Sequence, residues 1–204
     1  DALDLALRDV LGRHDAFRTR FDTEQPLQRL TPARAFDIAH VDLSDQADPD
    51  RALDRFCRES NGRDFPLDQA PLAAVSVLRL SDGRTVVHLV ASHLIFDGWA
   101  SSVFNTELAQ AYHARRAGRA PDLPAAASPL AFGLEEQRRF AGTQAAEDLA
   151  FWRARLSNPP APLSLGDRAP AGARQYGADT ERTRIDGPVL AALRAQARSA
   201  GATV

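Results

Sequence analysis

Two β-rich runs stand only four residues apart in this chain, and no other feature restricts its folding as much. Residues 74–80 read Ala-Val-Ser-Val-Leu-Arg-Leu, and residues 85–93 read Thr-Val-Val-His-Leu-Val-Ala-Ser-His. Between them lie Ser81, Asp82, Gly83 and Arg84, whose Asp-Gly pair suits a tight reversal, so the runs pair as an antiparallel hairpin. The second run is apolar almost throughout, which predicts a central strand covered on both faces, with His93 at its end. After Asp97-Gly98, residues 99–116 place Val103, Leu108, Ala111 and Tyr112 on one helical face, and Gly118 closes that helix.

The flanking sequence supplies layers for this hairpin. Leu3, Leu7, Val10 and Leu11 recur at helical spacing, predicting a helix to about residue 14 and then an extended segment with Phe17 and Phe21 in the core. A short strand is expected over 36–41 and a helix from Pro49 through Glu59. Residues 117–129 read as an Ala/Pro-rich loop. A long helical region follows, with Leu134, Phe140, Leu149, Phe151, Trp152 and Leu156 on its apolar face, stopped by Pro159-Pro160. Residues 157–180, rich in Pro, Gly and Ala, form the best linker, residues 182–185 suggest a strand, and Asp186 with Pro188 starts a last helix ending at Gly201.

Composition narrows the function. With 25 basic and 27 acidic residues the net charge is −2, no footprint for nucleic acid or an anionic membrane surface, and no apolar run approaches the length of a membrane span. Every Lys/Arg position is Arg, which removes Schiff-base chemistry and a phosphate-binding lysine. Cys57 is the single cysteine, so no internal disulfide forms, and the cytoplasm is the expected compartment. The 204 residues contain no methionine and open directly in a helical pattern, which reads as part of a longer protein.

The stretch with chemical potential is Ser92-His93-Leu94-Ile95-Phe96-Asp97-Gly98-Trp99. A strand running into His, then a loop ending in Asp-Gly, then a helix, holds an imidazole at a junction where function often sits. The same residues also read blandly, as a hydrogen-bonded core histidine, an Asp97 helix cap and a turn glycine. Ser92 and His93 are adjacent strand residues facing opposite sides, which argues against a nucleophile–base pair. A third metal ligand with suitable spacing is missing, since His88 lies five residues away on the other face. His14, His40 and His113 read as surface or capping residues, and Cys57 as a small core filler.

Resemblance sharpens this reading. Ser92 to Gly98 matches the His-His-x-x-x-Asp-Gly motif of nonribosomal peptide synthetase condensation domains at every position but the first. Arg13-His14-Asp15-Ala16-Phe17-Arg18-Thr19-Arg20-Phe21 is similar to that family's Arg-His-Glu-x-Leu-Arg-Thr-x-Phe segment. Asp64-Phe65-Pro66-Leu67 with Ala70-Pro71-Leu72 resembles the approach to its hairpin, and Phe151-Trp152-Arg153-Ala154-Arg155-Leu156 resembles its Tyr-Trp-x-x-x-Leu. Residues 130–135 retain little of the aromatic motif expected there. The region 132–152 looks more like condensation domains of hybrid polyketide–peptide assembly lines, a hint of a polyketide acyl donor.

The resemblance implies an α/β fold of two-layer sandwich (α+β) character, a lobe like that of chloramphenicol acetyltransferase with a mixed sheet flanked by helices. Residues 1–180 would form the N-terminal lobe, without the family's first strand, and residues 181–204 the start of a crossover into a second lobe. It implies amide formation between donor and acceptor groups held on the 4′-phosphopantetheine arms of carrier domains, with no bound cofactor of the domain's own. The implied partners are those carriers, the second lobe and adjacent adenylation or polyketide synthase modules. His93 takes the catalytic position, Asp97 pairs with Arg18, Gly98 keeps backbone close to substrate, and Ser92 supplies a small hydrogen-bonding side chain at a structural position. Ester-forming and epimerizing relatives share the motif, and Ser92 also raises a non-catalytic recruiting domain, against which the retained His93 argues.

Overall fold

A computed structural model describes residues 2–33, 35–161 and 183–204. These fall into two compact units, Asp1–Arg155 and Leu156–Val204. The expected lobe boundary near residue 180 and most of the 157–180 linker lie outside the described residues.

The first unit opens with helix α1 (Ala2–Arg13), whose Ala6, Leu7, Val10 and Leu11 are buried as the spacing predicts. A short 3-10 turn, Asp15–Arg18, buries Phe17 and leads into strand β1 (Thr19–Phe21), paired antiparallel with β2 (Gln28–Leu30). Strand β3 (Ile38–Leu43), helix α2 (Pro49–Asn61) and strand β4 (Ala73–Leu80) follow, with β3 and β4 parallel. Asp48 caps α2 by accepting the Arg51 N–H, and Pro49 occupies the first turn, where its missing N–H costs nothing. Strand β5 (Thr85–Ala91) returns antiparallel to β4, and the hairpin turns at Gly83, whose φ of +82° is a conformation that side chains with a Cβ disfavour. The sheet order is β3-β4-β5.

That order corrects one expectation. The central strand is β4, and β5 lies at the edge of the described sheet, half-buried along most of its length. Its apolar sequence has another cause. Val87, Leu89 and Ala91 pack on the main core, while His88, on the opposite face, meets Phe56 of α2 edge-on with ring centroids 5.4 Å apart. Both faces are covered although one edge is open.

Helix α3 (Gly98–Arg116) packs against α1 over the face of the sheet that carries Val75 and Val77. Asp9 of α1 and Arg115 of α3 close this contact with a two-pronged pair, Nε–Oδ2 at 2.6 Å and Nη2–Oδ1 at 2.7 Å. Phe104 is the most buried large residue of α3, whereas the helical face read from the sequence started at Val103. The rings of Phe17, Phe96 and Phe104 lie 6.2–6.4 Å apart in tilted and edge-to-face arrangements.

The long helical region is two helices, α4 (Pro129–Phe140) and α5 (Thr143–Arg155), interrupted at Ala141-Gly142. Their expected inward face is outward: Leu134, Phe140, Leu149, Phe151 and Trp152 are exposed, because the helices pack chiefly on each other. Leu156 is exposed too. In the second unit, residues 183–185 are irregular where a strand was expected. A strand without a partner leaves its backbone groups unpaired, so the sequence bias alone does not form one. Helix α6 (Gly187–Ser199) starts after Asp186 with Pro188 in its first turn, and Gly201 (φ +66°) stands just past its end. No helix of the described residues is long and apolar enough to cross a membrane.

Burial holds the His88 imidazole below its ordinary value, because the charged form loses its hydration beside Phe56. A depressed histidine contributes stability that is complete above the unfolded value of about 6.5 and is lost as the pH falls from there toward the folded value. His88→Phe retains the ring contact without titrating. The melting temperature of the complete domain should therefore fall less between pH 7.5 and 5.5 in this variant than in the parent.

Candidate active site

The site is built on the turn between β5 and α3. Ser92 N–H donates to Leu72 O at 2.9 Å, carrying the sheet register one step beyond the strand, and Ile95 N–H donates back to Ser92 O at 3.0 Å. The Ser92 hydroxyl accepts the Leu94 N–H at 3.3 Å, a local bond that a short hydroxyl side chain can make across a turn. Ile95 and Phe96 pack against the core and anchor the turn from below. His93 is thereby left exposed, two residues past the strand, where the sequence placed it at the end of a central strand. It lines a concavity of about 210 Å³ with Asp97, Thr19, Phe21, Gln28 and Pro129.

Asp97 is the N-cap of α3. Its backbone is extended, and Oδ1 accepts the Ala100 N–H at 2.7 Å, satisfying one of the unpaired donors of the first turn. The expected pair between Asp97 and Arg18 is not made. Arg18 turns to its neighbour three residues back: Nε and Nη2 reach Asp15 Oδ1 at 2.9 and 2.6 Å, and Nη1 donates to Thr31 O at 3.0 Å. All three guanidinium nitrogens are thus engaged away from Asp97. Gly98 begins α3 with an ordinary backbone, and a Cβ placed on it would meet nothing within 4 Å. Leu94 is 55% exposed and Trp99 82% exposed, so apolar surface stands on either side of the Asp97-Gly98 pair.

The Arg-His-Asp segment has a role that sequence reasoning missed. Arg13 forms an ion pair with Glu107 of α3, and His14 Nε2 lies 2.7 Å from the other oxygen of the same carboxylate. Burial raises the Glu107 pKa, but the hydrogen bonds from Arg13 and His14 outweigh it and hold the carboxyl below its usual range. Asp15 behaves alike: burial opposes its charge, and hydrogen bonds from Ser128 and Arg18 overcome that. Ser128, the residue before α4, donates its hydroxyl to Asp15 Oδ2 at 2.9 Å and makes no cap bond to its own helix. The Arg-His-Glu resemblance was the available signal, yet nothing in it named partners 93 and 113 residues away. Among the described residues no three His, Cys, Asp or Glu side chains converge as a metal site.

Comparison with known proteins places the chain in a family. The family model described as "Condensation domain" matches residues 1–204. The chain belongs to the condensation domain family. It is 34% identical over 213 aligned residues to a probable non-canonical nonribosomal peptide synthetase, CymA, of Salinispora arenicola, covering 100% of this chain and 3% of that protein. It is 32% identical over 209 residues to phosphinothricin tripeptide synthetase PhsC of Streptomyces viridochromogenes, covering 97% of this chain and 19% of that one. Among solved structures, the first condensation domain of the calcium-dependent antibiotic synthetase superposes with a TM-score of 0.72 at 26% identity, over 85% of this chain and 43% of that one. The condensation fold of helices on a mixed sheet, expected from the motifs, is therefore the fold of this chain, which spans less than half of that solved domain.

Two substitutions separate capping from ion pairing. Asp97→Ala should cost about 1 kcal/mol through the lost cap, and Asp97→Asn should restore most of it. In double-mutant cycles read by denaturant unfolding of the complete domain, Arg18 should couple to Asp15 by about 0.5 kcal/mol and to Asp97 by nothing measurable. Coupling between Arg18 and Asp97 would return the pair to the site.

Proposed function

We propose that this condensation domain joins two carrier-bound groups through an amide bond, with His93 as its catalytic residue. One observation carries the proposal: the imidazole at the motif position stands exposed in a concavity on a condensation domain's fold. A neutral imidazole there accepts a proton from the acceptor's amine as its nitrogen attacks the donor thioester carbonyl. The carbon–nitrogen bond forms, the carbon–sulfur bond breaks as the tetrahedral intermediate collapses, and the proton passes to the departing thiolate. Positioning the amine and stabilising the charge of the intermediate use the same nitrogen. Asp97 serves the site by fixing the start of α3, and Ser92 by holding the turn. Gly98, with open space where a Cβ would stand, lets the pantetheine arm approach the backbone.

The donor and acceptor arrive on the 4′-phosphopantetheine arms of carrier domains, and the chemistry takes place with a second lobe of the same domain closing over this one. The similarity of this chain to synthetases such as PhsC supports neighbours in a multidomain assembly, and adenylation or polyketide synthase modules are the neighbours this reading expects. A related first condensation domain, that of the calcium-dependent antibiotic synthetase, has been solved with a substrate analogue (27% identity, TM-score 0.71). Tethering to a carrier supplies an effective concentration that free coenzyme A thioesters lack, so recognition falls on the carrier and its arm.

In the complete domain, His93→Ala should lower amide formation by about 100-fold or more while the melting temperature holds, because the exposed ring carries no core packing. Ser92→Ala should be mild in both measurements. Carrier-bound donors should react much faster than the same acyl groups on coenzyme A at equal concentration, measured as product formed. Equal rates would point to a free acyltransferase, and near-normal turnover of His93→Ala would remove the catalytic role.

A further inference from the structure

Strands β1 and β2 form a two-stranded ribbon in which Phe21 stands opposite Gln28 and Thr19 opposite Leu30. Residues directly opposite in an antiparallel pair carry their side chains on one face, as do residues two apart on a strand, so Thr19, Phe21 and Gln28 share a face. That face turns toward His93, since all three line the concavity of about 210 Å³ at the imidazole. The backbone that carries Gln28 is held on both sides. At the ribbon's turn, Asp22 N–H donates to Leu27 O at 2.9 Å, and Asp22 Oδ1 accepts the N–H groups of Glu24 and Gln25, each at 3.1 Å. Across the ribbon, Phe21 N–H donates to Leu67 O at 2.7 Å, which ties β1 to the loop before β4. Four polar side chains line the concavity, and two of them are already committed. The Thr19 hydroxyl donates to Asp15 O at 2.8 Å, and the Asp97 carboxylate accepts the Ala100 N–H. Among the described residues, the Gln28 carboxamide and the His93 ring have no hydrogen-bonding partner and keep their capacity for a ligand.

We infer that the Gln28 carboxamide is a second catalytic residue, donating an N–H to the thioester carbonyl oxygen while the amine attacks at His93. The inference rests on the proposed function, which places the reacting carbonyl in this concavity. As the carbon–nitrogen bond forms, an electron pair of the carbonyl moves onto its oxygen. As the intermediate collapses, that pair re-forms the double bond and the carbon–sulfur bond breaks. The oxygen therefore carries negative charge only between the two events, and a donor aimed at it favours the transition state over the bound thioester. While the imidazole nitrogen takes the amine's proton, it is turned to the amine and not to the oxygen. A carboxamide supplies two N–H donors and stays neutral, so it neither titrates with His93 nor repels the developing charge. A space of 210 Å³ equals the liquid volume of about seven water molecules, room for the reacting carbonyl and amine but not for the whole pantetheine arm. A side chain that faces this space thus faces the reacting atoms.

The test is titration calorimetry on the complete domain with two acetyl-sized pantetheine ligands that carry methylene in place of the thioester sulfur. One is a ketone, planar and neutral like the bound thioester; the other is a phosphinate, tetrahedral and anionic like the intermediate. The parent should bind the phosphinate about tenfold or more tighter than the ketone. Gln28→Met, of similar length but without an N–H donor, and Gln28→Ala should each weaken the phosphinate by about tenfold or more and change the ketone by less than about threefold. The melting temperature should hold in both variants, because the exposed side chain has no partner to lose. In turnover, kcat should fall by roughly 100-fold with KM nearly unchanged. A parent without the phosphinate preference, or variants that keep it, overturns the inference. Equal weakening of both ligands overturns it too, by making Gln28 a grip for the arm. The two readings fail separately. A phosphinate preference that depends on Gln28 in a domain that forms no amide removes the proposed function and leaves the anion contact, whereas amide formed by Gln28→Met at the parent kcat removes the inference and leaves the proposed function.

Discussion

Strand β4 is buried on both faces, and the rest of the unit is arranged to keep it so. Val75 and Val77 point to one side while Leu78 and Leu80 point to the other, all four at 9% exposure or less. One layer of helices cannot cover both faces. Helices α1 and α3 cover the valine side, and α2, inserted between the parallel strands β3 and β4, lies on the side where His88 meets Phe56. The crossover through α2 follows from the parallel pairing, since parallel neighbours cannot be joined by a tight turn. Once α3 is committed to one face, the chain leaving β5 must climb from strand to helix within six residues, and His93 lies in that climb.

Charged groups then fix how the helices sit on the sheet. Arg13 and His14 both bind Glu107, Arg115 binds Asp9, and Ser128 reaches Asp15. These contacts lie at the partly buried edge of the helix layer, where hydrogen-bonded carboxylates keep their charge although burial opposes it. The segment that resembled a family motif is thus a clamp holding the end of α1, the 3-10 turn, α3 and the start of α4 in one relation. That relation also defines the walls around the concavity at His93, which draws Thr19 and Phe21 from one side of the clamp and Pro129 from the other.

The site divides its labour accordingly. Asp97 spends its carboxylate on the Ala100 N–H, Ser92 spends its hydroxyl on the Leu94 N–H, and Ile95 and Phe96 are held in the core. His93 alone in this turn combines a titratable ring with exposure. Leu94, Trp99 and the α4–α5 pair present apolar surface outward, and the chain spans 43% of the length of a solved relative.

Much of this was legible in the sequence, for reasons that differ from element to element. The hairpin could be read because its alternation and its Asp-Gly turn are local, and α2 because Asp48 and Pro49 mark its start within one turn. The motif that singles out His93 could be read because its spacing lies within seven residues. The edge position of β5 could not be read, since an apolar run looks alike in a central strand and in an edge strand packed on both faces. Arg18 had carboxylates available at Asp15 and Asp97, and only the folded backbone placed one of them within 2.6 Å. By itself, then, the sequence determined α1, the β4–β5 hairpin, α2 and α3, their order and the family that the motif spacing denotes, because those depend on neighbours within a few residues. The tertiary structure alone decided which carboxylate meets which cation, which apolar faces are covered and that His93 is open to solvent, because burial and pairs such as His14–Glu107 and Arg115–Asp9 join residues about a hundred positions apart, and even Arg18 chooses its near partner by the folded backbone.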